Sequence, residues 1–118
     1  MSSCMPWSVD ARVPVLIGRL EDAEGDDALL IEGSQRVQRP AVAHFEVAER
    51  QHAPGCACCA PLSPVAFALR ALFQARAKGE VPFFRRVVAV TRTEEGDVAV
   101  WSAIRNDPLT AGRFRLAG

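Results

Sequence analysis

Three features of the sequence predict an α/β fold. Short β-branched runs at 13–18 and 86–91 read as buried strands, and an amphipathic stretch at 64–78 reads as a helix lying between them in the chain. Strand, crossover helix, strand is the unit that generates parallel pairing. With 118 residues the chain suffices for one modest core and not for two, so residues 13–118 are read as a single domain behind a flexible arm at 1–12.

The apolar run Val13–Gly18 ends on a glycine and fits a strand. Pro14 has no N–H to give a ladder, so it belongs near a strand's beginning or at an edge. Residues 19–27 carry five carboxylates and read as a solvated acidic loop. Ala28–Glu32 reads as a second strand, closed by Gly33-Ser34. From Pro40 to Glu49 the pattern alternates. Ala41, Ala43, Phe45 and Val47 share one face, and Val42, His44, Glu46 and Ala48 the other, as in a half-exposed strand. Joined through 35–39, these two strands are expected to form an N-terminal hairpin.

The helix has a start and a stop. Ser63 suits the cap, Pro64 the first helical position, and Gly79 the exit. Val65, Leu69, Leu72 and Phe73 form its apolar stripe, with Arg70, Gln74 and Lys78 opposite. Arg86-Val-Val-Ala-Val-Thr91 is a continuous β-branched run, typical of a strand covered on both faces. Thr93–Asp97 reads as a turn, 98–105 as a helix, and Pro108 as the opening of a short helix through Arg115.

Charge and composition exclude several functions. Formal net charge is zero, so there is no global basic field for nucleic acid or an anionic membrane. No apolar run approaches a membrane span, and the first residues lack the pattern of a secretory signal. Three of the four cysteines are packed together, which suits metal or redox chemistry in a reducing compartment and points to the cytoplasm.

Those three lie in His52-Ala-Pro-Gly-Cys56-Ala-Cys58-Cys59. Thiolates bind zinc tightly, and tetrahedral sites take four N, S or O ligands. Gly55 lets the backbone turn sharply, so Cys56 and Cys58 can reach one ion. Cys59 and His52 are the next candidates, with His44, Glu46, water or a second chain available to complete the set. His44 itself reads better as a half-buried packing residue. Two other readings use the same cysteines. They fit small buried hydrophobes under the helix, or thiols acidified by the helix N-terminus and hence redox-reactive. The latter lacks a CxxC pair. Cys4 reads as a free thiol on the arm.

Gly55-Cys-Ala-Cys-Cys59, a helix, then Arg76-Ala-Lys-Gly-Glu-Val-Pro-Phe-Phe-Arg-Arg-Val-Val-Ala-Val-Thr91 resembles the CobW-type metallochaperone GTPases, relatives of UreG and HypB. The likeness continues through Asn106–Gly118, which is similar to that family's DP-x-x-A-x-RFRLDG stretch, and a weaker echo lies at Val13–Leu20. The resemblance implies a reduced P-loop-like, three-layer α/β domain and a metal ligand set of Cys56, Cys58 and Cys59.

The departures bear on activity. A P-loop, G-x-x-x-x-G-K-[ST], cradles phosphates with backbone amides, reaches the outer phosphates with its lysine and holds magnesium with its hydroxyl. Here, allowing a two-residue insertion after Gly18, Gly25 stands in for the last glycine and Asp26 and Asp27 fall at the lysine and hydroxyl positions, while the sole lysine, Lys78, sits at a helix end. The same count removes the guanine-reading [NT]KxD motif. The expectation is therefore a pseudo-GTPase: not an enzyme, not a binder of nucleotide triphosphates, and most simply a zinc-binding protein using Cys56, Cys58, Cys59 and His52. The alternative is an interaction module, a homodimer or a docking partner for a full-length relative. A sheet that stops after 87–91 would leave an edge strand needing cover.

Overall fold

The computed structural model describes residues 11–47 and 63–117. Five strands, β1 (Val13–Gly18), β2 (Ala28–Glu32), β3 (Val42–Phe45), β4 (Val87–Val90) and β5 (Phe114–Leu116), make one sheet in the order β3-β2-β4-β1-β5. Every pairing is parallel. Three α-helices accompany them: α1 (Pro64–Ala77), α2 (Glu94–Asn106) and α3 (Pro108–Arg113).

Helix α1 begins as its sequence dictates. Ser63 is extended, its hydroxyl accepts from Ala66 N at 3.1 Å, and Pro64 follows at the first position. The chain leaves through Gly79 at φ 77°, a conformation open to glycine at little cost. Val65, Leu69 and Leu72 are buried. They face one side of the sheet, where Val13, Val15, Ala28, Leu30, Val87 and Ala89 meet Val100, Ala103 and Ile104 of α2 in one core. Phe73 packs edge-on against Phe114 of β5, 5.9 Å between ring centres.

Leu29, Ile31 and Val88 point to the opposite face and are also buried, but Leu20 of a 3-10 turn and Ala23 and Val37 of loops, not α-helices, pack on them. The expected three layers are thus two layers of regular structure among the described residues. The reason is length. Connection 19–27 holds a single 3-10 turn, Leu20–Asp22, and connection 33–41 holds no helix; both are shorter than the dozen or more residues a parallel crossover ordinarily takes.

The expected hairpin is also corrected. Strands β2 and β3 do pair, but in parallel, with Leu29 opposite Val42 and Glu32 opposite Phe45. The 33–41 loop runs the length of the sheet face to bring β3 back to the same starting edge. The alternation of β3 stands, with Ala41 and Phe45 buried and His44 exposed.

Pro14 is accommodated because the ladder to β4 begins only at Val15. Strand β4 lies in the middle of the sheet, not at its edge; the edges are β3 and β5. The predicted turn at 93–97 is instead the first turn of α2, capped by the Thr93 side chain accepting from Gly96 N at 2.9 Å. The last predicted helix stops at Arg113, and Phe114–Leu116 turns into β5 against β1. At the end of the predicted arm, Arg12 donates to the Ala111 carbonyl at 3.3 Å.

Candidate functional site

In an open parallel sheet, ligands bind outside the carboxyl ends of the strands, where successive connections depart in opposite directions. Here that point lies between β1 and β4. From Gly18 the chain leaves toward β2, and from Val90 it leaves toward β5.

The loop after β1 is closed upon itself. Asp22 Oδ2 accepts from the backbone N–H of Arg19 at 2.8 Å. A β-carbon on Gly18 would stand 2.6 Å from the same oxygen, so the carboxylate lies close against the glycine and would have to shift for any side chain there. A phosphate cradle needs free amides at this position and a helix N-terminus beyond. The first amide is already paired with a carboxylate, and one 3-10 turn stands where a helix would begin.

Farther along, Asp27 is also engaged. Its Oδ2 accepts from Arg86 Nη2 at 2.6 Å and Nε at 3.0 Å, and Glu24 N donates to it at 3.0 Å. The Asp27 carboxylate raises the Arg86 guanidinium above its ordinary value, against the opposing effect of burial. Arg86 also donates to the Asp22 carbonyl at 3.0 Å. The acidic loop is therefore not simply solvated, since Arg86 fastens it through the Asp27 carboxylate and the Asp22 carbonyl.

On the other side of the switch point, Glu32 ends β2 at 7% exposure. Its Oε1 accepts from Arg92 N at 2.6 Å and Thr93 N at 3.0 Å, and Oε2 accepts from the Thr93 hydroxyl at 2.8 Å. Burial pushes the Glu32 carboxyl upward, but these bonds and the Arg92 charge outweigh it and hold the group below its ordinary value. A β-carbon on Gly96 would fall 2.0 Å from Oε1, so the first turn of α2 presses its backbone against the carboxylate. Beside it, the Thr91 hydroxyl donates to Asp97.

Sequence reasoning missed this constellation. The available signals were an acidic residue closing an otherwise apolar strand, and Thr93 followed by Glu94, Glu95 and Asp97, a helix start with acids in its first turn.

The predicted ligands Cys56, Cys58, Cys59 and His52, and the lone Cys4, lie outside the described residues. The flanking strand β3 and helix α1 bring the chain to and from that segment. His44, weighed as a half-buried packing residue or a supplementary ligand, is exposed, and its Nε2 lies 2.8 Å from the Gln35 carbonyl. Glu46 is exposed as well. Among the described residues, no group of three or more His, Cys, Asp or Glu is placed to hold a metal ion. Among them, too, no helix is long and apolar enough to cross a membrane.

No family model matches the chain, and neither does any curated protein or solved structure.

Proposed function

We propose that this chain is a non-catalytic, zinc-binding relative of the CobW-type metallochaperone GTPases, working in the cytoplasm. Its ligands are Cys56, Cys58 and Cys59, with His52 as the fourth. The observation that carries the reading is the Gly55-Cys-Ala-Cys-Cys59 motif, set between a parallel strand and the capped helix α1. Three thiolates and an imidazole form a soft donor set that satisfies tetrahedral zinc.

Support for a non-catalytic role comes from the loop after β1. The Arg19 amide there is occupied by the Asp22 carboxylate, and the remaining acids of the loop disfavour a polyphosphate. The protein thus holds or passes on a metal ion without coupling it to nucleotide hydrolysis.

Elemental analysis of protein purified without chelator tests the reading. About one zinc per chain is expected, falling to a small fraction in Cys58→Ser. Metal-free wild type, or stoichiometry untouched by the substitution, would refute it.

A second reading, an interaction module, is favoured by exposed apolar side chains on the helical side. Val98, Trp101 and Leu109 are all about half exposed or more, and such residues mark contact surfaces when they cluster. Sedimentation analysis that finds only monomer at high concentration would count against self-association.

A further inference from the structure

We infer that the cleft between the 33–41 loop and edge strand β3 binds a small organic anion. Arg36 and Arg39 would receive its phosphate or carboxylate group, and Val37 and Val42 would seat its apolar body. The cleft has a volume of about 520 Å³ and is lined by Arg36, Val37, Gln38, Arg39, Val42 and His44, a size ordinary for small-ligand sites. It opens on the sheet face that carries no α-helix among the described residues.

The charge is uncompensated. Two arginines and a histidine line the cleft with no carboxylate among them. Arg86, by contrast, pairs with Asp27 at 2.6 Å. Among the described residues Arg36 and Arg39 enter no ion pair. Arg39 makes one long bond, Nη2 to the Asp27 carbonyl at 3.4 Å, while its buried Nε finds no acceptor. The Asp27 side chain, on the residue whose carbonyl Arg39 reaches, turns its Oδ2 to Arg86 instead. A planar guanidinium with donors to spare is matched to an oxyanion.

The cleft is also preorganised. Arg39 N donates to the Val37 carbonyl at 3.1 Å, Pro40 restricts the next backbone angle, and Leu29 N holds the Ala41 carbonyl at 2.9 Å. His44 Nε2 donates to the Gln35 carbonyl at 2.8 Å, tying the loop's first half to β3. A ring nitrogen facing a carbonyl carries the hydrogen, so this contact also sets which nitrogen is left over, namely Nδ1. A loop held at both ends gives up little freedom on binding.

Amide chemical shifts followed by NMR at low salt, with AMP, benzoate and inorganic phosphate as probes, test the inference. AMP carries a phosphate on a ribose that bears a flat aromatic base, benzoate a carboxylate on an apolar ring, and inorganic phosphate is the anion alone. At least one organic probe is expected to give saturable shifts centred on residues 34–45, with a Kd near or below ~1 mM. Arg36→Gln/Arg39→Gln should weaken it by at least about tenfold. The stronger organic probe identifies the oxyanion. Arg36 makes no bond within the described residues, so Arg36→Gln alone keeps the fold and should still weaken binding severalfold. Cys58→Ser should leave binding unchanged, which separates this site from the thiol reading. Absence of saturable shifts from both organic probes up to ~10 mM, shifts centred elsewhere, or affinity indifferent to the arginines would overturn the inference. So would organic probes binding no tighter than inorganic phosphate.

Discussion

Removing the Glu32 carboxylate should be among the most damaging single changes outside the apolar core. Three donors converge on it, two backbone N–H groups and one hydroxyl, at 2.6 to 3.0 Å. Glu32→Ala would leave all three without their acceptor at the point where α2 begins. Each such loss costs about 1–2 kcal/mol when the group is buried. Arg92 and Thr93 are exposed enough for water to recover part of this, so a net destabilisation of about 3 kcal/mol is expected. That corresponds to a melting temperature lower by roughly 10–20 °C for a domain of this size, read independently as a shift in the urea midpoint at constant slope. Glu32→Gln keeps the shape and two of the acceptor contacts, and should cost about 1 kcal/mol at neutral pH.

Acid provides a second axis. The carboxyl is held below its ordinary value, so its contribution is fully present above the unfolded glutamate's value and is lost as pH falls through the lower folded one. Wild type and Glu32→Gln should therefore converge in stability under acid. A Glu32→Ala variant within about 0.5 kcal/mol of wild type, where unremarkable surface changes fall, would refute the reasoning. So would a difference from Glu32→Gln that persists unchanged at low pH.

Gly96→Ala should destabilise by about 2 kcal/mol or more through the collision with Glu32 Oε1. Combined with Glu32→Ala, it should cost less than the sum of the two, a non-additivity that a double-mutant cycle measures directly. Asp27→Asn, which strips the Arg86 guanidinium of its partner across the sheet, should lower stability by about 2 kcal/mol in urea unfolding. Asp107 caps α3, accepting from Thr110 N at 2.9 Å and the Thr110 hydroxyl at 2.6 Å. Asp107→Ala should cost about 1 kcal/mol. Chiefly because of the Thr110 bonds the Asp107 carboxyl sits below its ordinary value, so this contribution also fades as pH falls, and a variant whose deficit grows in acid would contradict it.

The strands and the helix that carry strong local signals were legible. Val13–Gly18 and Val87–Val90 are dense apolar runs, and α1 announces itself through Ser63, Pro64 and Gly79. Pairing was not. Nothing in 33–41 distinguishes a hairpin connection from a short parallel crossover, because both leave the same alternation in Val42–Phe45. Strand β5 has only three residues, too few for a period to show, and Phe114 reads equally well as a helix's apolar residue. The Glu32 constellation joins one strand end to a helix start far along the chain, a relation set by tertiary contact and invisible to local pattern. The cysteine motif was the plainest chemical signal in the sequence, and it lies in a segment outside the described residues.

The strand order has a consequence for how the chain must assemble. Strand β1 is synthesised first, yet its two sheet neighbours are β4 and β5, the last strands to be made. Such long-range closure slows folding. Until Val87–Val90 arrives, the uncharged Val-Pro-Val-Leu-Ile-Gly segment has neither side paired, and until Phe114–Leu116 joins it keeps one open flank. Pro14 then acquires a role beyond tolerance in the finished sheet: it interrupts the row of donors on which a stray neighbouring chain would template.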